Sequence, residues 1–217
     1  MIPHADLTYE FALCERGQCA VAGLDEAGRG AWAGPVVAGA VILPLDRFDL
    51  AHALDGVNDS KLLTPEIRAA LLPVILEVAR AAGMGYATHT EIDTMGIVPA
   101  TRLAMRRALD ALDVAPDGLL TDAMPMPELP LPYTSLIKGD QKSLSIAAAS
   151  IIAKVTRDRF MDELADSFPQ YGFEEHKGYG TALHRHALQT FGPCPAHRMS
   201  FAPLRAVLES DRGATQE

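Results

Sequence analysis

An apolar run, Val21-Ala22-Gly23-Leu24, ends in two adjacent carboxylates, Asp25 and Glu26, and a Gly28-Arg29-Gly30 turn follows at once. Neighbouring acids at the mouth of a strand are a poor structural choice, because they repel, have low β propensity and do not suit a core. A bound cation would give the arrangement a purpose. Divalent magnesium or manganese takes hard oxygen ligands and keeps coordination sites open for water and phosphate. The glycines let a backbone approach a ligand closely. On its own the pair also reads as a solvated strand end. Asp122 repeats the pattern after Gly118-Leu119-Leu120-Thr121, and Asp158 follows Lys154 by one helical turn in an alanine- and isoleucine-rich segment. Their plain alternatives are a turn residue before a proline loop and a surface ion pair with Lys154 or Arg157. Together, Asp25, Glu26, Asp122 and Asp158 offer four carboxylates from two strands and a helix. That number suits two divalent ions, as in nucleases that act by in-line displacement.

The elements that must position these acids follow an α/β pattern. Ala20 to Leu24 and Gly34 to Leu43 read as buried strands, the second ended by Pro44. Thr64-Pro65-Glu66 is a helix start, with Thr64 as cap and Pro65 at the first helical position. Pro73 lies inside that run and is expected to kink or break it. Gly83 to Thr88 reads as a strand, Thr101 to Leu112 as a helix, Gly118 to Thr121 as a strand and Pro125 to Pro132 as a loop. Ser135-Leu136-Ile137 returns to the sheet, and Ser143 to Leu164 is a long helix. In open α/β sheets chemistry gathers at strand ends, so Asp25 and Asp122 are expected to face one pocket. The tail from Asp211 to Glu217 is expected to fray.

The 217 residues, 48% hydrophobic and 22% charged, suit one soluble domain, 1–217, with a core over about 18–165 and a helical part over about 166–210. No apolar stretch is long enough to span a bilayer, and Met1-Ile2-Pro3-His4 lacks the character of a signal peptide, so a cytoplasmic protein is expected; a monomer is the expectation for its assembly, which the sequence itself does not fix. Cys14, Cys19 and Cys194 show no zinc-ligand pattern; Cys14 and Cys19 are close enough in sequence for a metal or a disulfide, but free thiols in a reducing cytosol are the expectation. The net charge of −9 argues at first sight against a nucleic-acid partner. Yet Lys138, Lys142, Lys154, Arg157, Arg159, Lys177, Arg185, Arg198 and Arg205, nine of the 19 basic residues, fall in under a third of the chain. A basic face on an acidic protein is therefore expected.

Longer motifs connect these pieces. They are Gly23-Leu24-Asp25-Glu26-Ala27-Gly28-Arg29-Gly30, Asn58-Asp59-Ser60-Lys61, Thr121-Asp122, Lys138-Gly139-Asp140, the run from Ile146 to Asp158, His176-Lys177-Gly178-Tyr179-Gly180-Thr181, and His197-Arg198-Met199-Ser200-Phe201. In order and spacing over about residues 20 to 203 the chain resembles the ribonuclease HII family. The resemblance implies a ribonuclease H-like fold, a central mixed β-sheet flanked by helices with a helical C-terminal part. It implies cleavage of the RNA strand of RNA–DNA hybrids and incision 5′ of single ribonucleotides embedded in duplex DNA, leaving 5′-phosphate and 3′-hydroxyl ends. It places two Mg²⁺ or Mn²⁺ ions on Asp25, Glu26, Asp122 and Asp158, and reading of the ribose 2′-hydroxyl on Gly28, Arg29, Gly30 and Tyr179. Ser60, Lys61, Lys142 and Ser150 match positions near the phosphate backbone, while Lys138, Asp140 and Arg198 match without an assigned step. The C-terminal tail shows no sliding-clamp box. Two other readings stay open: another nuclease core with clustered acids, such as a resolvase, and a non-enzymatic module that binds phosphorylated ligands through the glycine turn.

Overall fold

The computed structural model describes residues 4–206, so the expectations for the C-terminal tail, its fraying and its lack of a clamp box, fall outside the described residues. Five strands form a mixed sheet in the order β3-β2-β1-β4-β5. They are β1 (Val21–Ala27), β2 (Val36–Ile42), β3 (Ala81–Ala87), β4 (Gly118–Asp122) and β5 (Tyr133–Leu136). The first three pair antiparallel as a meander, whereas β4 runs parallel to both β1 and β5. Register sets Leu24 opposite Thr121, so Asp25 and Asp122 occupy equivalent next positions on neighbouring parallel strands.

The helices with both ends described are α1 (Thr8–Cys14), α2 (Leu50–Ala53), α3 (Pro65–Val78), α4 (His89–Met95), α5 (Ile97–Asp110), α6 (Leu144–Ser167), α7 (Phe173–His176) and α8 (Ala182–Phe191). Strand periodicity sorts the sheet's side chains between two faces. Ala22, Leu24, Val36, Ala38, Ala40 and Ile42 pack with Ala104, Met105 and Ala108 of α5. Val41 packs with Ala148, Ala149, Ile151 and Ile152 of α6. Both helices lie unusually close to the sheet because small residues make room. A Cβ on Gly39 would sit 2.3 Å from the Ala149 carbonyl oxygen, and one on Gly85 would sit 2.4 Å from that of Ala104. This close approach brings the start of α6 beside the strand ends that carry the acids.

The start of α6 is fixed twice. Ser143 caps it by accepting the Ile146 N–H at 3.3 Å. Glu10 of α1 accepts the Ser145 N–H at 2.9 Å and the hydroxyls of Ser143 and Ser145 at 2.5 and 2.6 Å. An anion at a helix N-terminus satisfies orphan donors and meets the positive end of the dipole.

Three expectations change. Helix α3 runs unbroken through Pro73, which is exposed on its outer face and removes only one helical N–H donor. Cys14 and Cys19 are joined in a disulfide, because Gly17, at φ +89°, turns the chain after α1 and brings their Cα atoms to 4.3 Å. Cys194 remains free and buried. Helix α4 is an element that periodicity missed. It opens with a capping box in which Thr88 and Glu91 satisfy each other's backbone N–H groups. Among the described residues no helix is long and apolar enough to cross a membrane.

Candidate active site

An open cleft of about 590 Å³ lies over the ends of β1 and β4. Asp25, Glu26, Gly28, Arg29, Gly30, Ser60, Lys61, Asp122 and Tyr179 line it together with Arg68 and Lys154. Nine of the twelve residues proposed from sequence thus meet in one place, from four separate parts of the chain. Asp158, Lys142 and Ser150 do not line it.

The structure brings Asp25 and Asp122 together with Asp140, keeps Glu26 in the cleft lining, and places Asp158 outside that lining. Carboxylate oxygens of Asp25, Asp122 and Asp140 all lie within 4.8 Å of one another. Asp140 arrives because β5 runs parallel beside β4 and ends in a tight turn. Lys138 adopts the left-handed conformation there (φ 56°), and the Gly139 N–H donates to Asp122 Oδ1 at 2.7 Å. Asp158 is occupied elsewhere. Lys154 Nζ donates to its Oδ1 at 2.6 Å, and Arg68 lies 3.5 Å from its Oδ2. Arg68 in turn donates to the carbonyls of Ser60 and Leu63, so Asp158 helps to hold the 60–63 segment and Lys154 at the cleft wall. The available signal for Asp140 was the Lys138-Gly139-Asp140 motif, set just after the strand neighbouring Asp122.

The electrostatics suit a divalent cation. Burial, then the charges of Glu26 and Asp122, push the Asp25 carboxyl well above the usual carboxylate range. Burial raises Glu26 as well, against the opposing pull of Arg29, which lies 3.1 Å from Oε1. Glu26 Oε2 is buried with no hydrogen-bond partner among the described residues. Burial also raises Asp140, opposed by a 2.9 Å bond from Lys61 Nζ. Crowded, raised carboxylates and an orphaned carboxylate oxygen fit a hard cation with oxygen ligands. A raised carboxyl favours the fold below the ordinary carboxylate range, and that contribution is lost as pH rises through the raised value. Ionising the cluster therefore opposes folding, and a bound cation relieves that cost. Adding Mg²⁺ or Mn²⁺ to chelated protein is expected to raise Tm by roughly 5 °C or more at about pH 7.5, and by clearly less at about pH 4.5. Equal shifts at both pH values in thermal melts would count against a carboxylate site.

The Gly28–Gly30 turn is built from beneath by two arginines. Arg157 is fully buried and donates to the carbonyls of Ala33, Pro35 and Lys177. Arg198 is fully buried too, donating to the carbonyls of Gly34 and Pro35 and, at 3.0 Å, to that of Arg29. These two therefore leave the expected basic face. Their charge is spent on loop carbonyls, a common way to satisfy a buried guanidinium. Gly28 has φ +93°, and a Cβ there would lie 1.9 Å from Arg157 Nε. Its missing side chain makes room for the protein's own arginine, while its backbone lines the cleft. Gly30 is different: a Cβ there would meet only the Tyr179 ring at 3.9 Å. Tyr179 is 39% exposed, and the Arg157 Cζ lies over its ring, 5.5 Å from the ring centroid.

The remaining residues divide between surface and scaffold. Ser150 is buried, and its hydroxyl accepts the Ser60 N–H at 3.2 Å, so it acts on the cleft through Ser60. Lys142 is exposed at the end of the 139–141 turn. Lys138, Arg159, Arg185 and Arg205 are exposed, and Lys177 pairs with Asp162.

Comparison with known proteins places the chain among relatives of one family. Residues 22–204 match the family model for Ribonuclease HII. A Ribonuclease HII from Chloroflexus aurantiacus is 52% identical over 97% of this chain and 98% of its own length. Another from Roseiflexus castenholzii is 55% identical over 90% of this chain and 87% of its own length. The crystal structure of the ribonuclease H2 from Pyrococcus horikoshii OT3 superposes with a TM-score of 0.75 at 28% identity, covering 88% of this chain and 98% of that one.

Proposed function

The chain belongs to the ribonuclease HII family of ribonuclease H-type hydrolases, and from that premise we propose that it is a divalent-metal-dependent endoribonuclease. It hydrolyses the RNA strand of RNA–DNA hybrids and incises 5′ of single ribonucleotides in duplex DNA, leaving 5′-phosphate and 3′-hydroxyl ends. The observation that carries this reading is the convergence of Asp140 on Asp25 and Asp122, which with Glu26 line the same cleft as Gly30 and Tyr179. Asp25, Glu26, Asp122 and Asp140 hold Mg²⁺ or Mn²⁺, with Asp140 taking the place that sequence had assigned to Asp158. Bound there, divalent cations supply activation of the attacking water and neutralise charge on the leaving 3′ oxygen.

The protein's own groups do the rest. The backbone of Arg29 and Gly30 and the face of Tyr179 receive the ribose, where a 2′-hydroxyl separates RNA from DNA. Lys61 and Lys154 present cations at the cleft wall toward phosphate oxygens, each held in place by an aspartate. Ser60 stands beside them, fixed through its backbone by Ser150 and Arg68. Exposed Lys138, Lys142, Arg159 and Arg185 supply the wider electrostatic footprint.

Two linked results test the proposal. A labelled RNA–DNA hybrid incubated with Mn²⁺ should yield fragments that carry 5′-phosphate and 3′-hydroxyl ends, and chelation should stop the reaction. Hybrid affinity should fall about a hundredfold or more between low and physiological salt, as expected for roughly four or five phosphate contacts. A flat salt profile, or cyclic-phosphate products, would refute it.

A further inference from the structure

Beneath Tyr179 lies a group of three imidazoles that the proposed chemistry does not use. His184 and His197 are fully buried and His176 nearly so. The rings of His176 and His184 stack with centroids 4.5 Å apart and planes 9° from parallel. His184 Nε2 lies 3.0 Å from His197 Nε2, and His184 Nδ1 lies 3.1 Å from the Tyr179 carbonyl oxygen. His176 Nδ1 faces the Gly178 N–H at 3.2 Å, and its Nε2 lies 2.8 Å from the Tyr171 carbonyl oxygen.

One placement of protons satisfies nearly all of these contacts. A backbone N–H only donates, so the Cys194 N–H, 2.9 Å from His197 Nδ1, makes that nitrogen an acceptor. The Cys194 thiol, at 3.1 Å, is a second donor onto the same nitrogen. His197 must then carry its proton on Nε2 and donate to His184 Nε2. That leaves the His184 proton on Nδ1, where it donates to the Tyr179 carbonyl. The same logic makes His176 Nδ1 the acceptor from Gly178 and puts its proton on Nε2, toward Tyr171. The 3.2 Å approach of His197 Nδ1 to the Cys194 carbonyl is the contact this order leaves unused. Burial lowers both His184 and His197 to about 4, with further lowering from His176 on each and from His89 on His197. The His184 and His197 rings are therefore neutral at physiological pH, as the bond between them requires.

The segment they hold needs such support. Lys177 and Gly178 both adopt left-handed backbone conformations, at φ +49° and +81°. A non-glycine residue there is strained, and it persists only where neighbours over-determine it. We infer that His176, His184 and His197 are positioning residues for Tyr179, with His197 and His184 joined in one fixed proton order and His176 stacked on His184. The cluster clamps the Gly178 amide and the Tyr179 carbonyl and so aims the Tyr179 ring across the cleft at Gly30. This role rests on the reading above in which Tyr179 meets the ribose.

Nitrogen-15 NMR of the full chain at about pH 7 reads the proton order directly, whatever the substrate proves to be. The expected spectrum shows His184 protonated on Nδ1, and His176 and His197 on Nε2. The opposite tautomer at His184 or His197, or a charged ring, overturns the inference. Kinetics on a duplex with one ribonucleotide give the second readout. His184→Phe keeps a stacked ring but removes both bonds, and should lower kcat about tenfold while KM moves by less than about threefold. His184→Asn retains a donor near the Nδ1 position and should recover to within about threefold of wild type. In a Tyr179→Ala background, His184→Phe should cause no further loss. Losses that add to those of Tyr179→Ala, or no rescue by asparagine, would make the cluster a packing element only. If wild type cuts no ribonucleotide-containing duplex, the ribonuclease reading fails, and the tautomers alone decide whether the cluster is ordered as inferred.

Discussion

Asp140→Asn is expected to lower the cleavage rate in Mg²⁺ at least about a hundredfold, a loss of roughly 2.7 kcal/mol or more of transition-state stabilisation. The substitution keeps the shape and removes one anionic ligand from the group formed with Asp25 and Asp122. The bond from Lys61 weakens with it, because a neutral amide oxygen replaces the carboxylate now 2.9 Å away. Asp122→Asn should behave alike. Asp158→Asn should cost less than about tenfold, because its effect passes through Lys154 and the Arg68-held segment. Steady-state rates for the three variants, with folding checked by circular dichroism, separate the assignments. A severe Asp158→Asn beside a near-normal Asp140→Asn would restore the arrangement read from sequence.

Gly28→Ala and Gly30→Ala are expected to fail in different ways. At Gly28 an alanine meets both a left-handed backbone (φ +93°) and Arg157 Nε at 1.9 Å. Arg157 cannot withdraw without abandoning its bonds to Ala33, Pro35 and Lys177, which would leave a buried charge unpaired. The cost should be about 3 kcal/mol or more, which for a chain of this size lowers Tm by roughly 6–12 °C. At Gly30 the added methyl meets only the Tyr179 ring at 3.9 Å, so stability should change by less than about 0.5 kcal/mol. There the methyl intrudes on the cleft itself, and cleavage should fall about tenfold or more with metal binding unchanged. Calorimetry and turnover on both variants check the contrast. A stable Gly28→Ala protein would mean that Arg157 does not fill the space under the turn.

The parts of this molecule that sequence displayed are the local ones. Asp25 and Asp122 were legible because each ends an apolar run, and parallel pairing of β1 with β4 brings such ends together. Thr64 and Pro65 announced α3, and Ser143 announced α6. What spacing hid depends on contacts between distant segments. Asp140 joins the cluster through the pairing of β5 with β4, whereas Asp158 was chosen from its helix position and from the family resemblance. Arg157 and Arg198 counted toward a basic face until the 33–35 loop supplied carbonyls for them. The Cys14–Cys19 bond was set aside on grounds of compartment, although the turn at Gly17 brings the pair together. Helix α4 had a readable signal, Thr88 three residues before Glu91, in a stretch without strong apolar periodicity.

The central claim is that this cleft joins a metal-binding acid cluster to a surface that reads ribose, and one pair of substrates tests it most directly. Two labelled DNA duplexes, identical except for a single ribonucleotide in one of them, are incubated with the protein in Mg²⁺ and in Mn²⁺. The account predicts a single cut on the 5′ side of the ribonucleotide and no cut in the all-deoxyribose duplex. Equal cutting of both duplexes would show that the 2′-hydroxyl is not read, and would contradict the account.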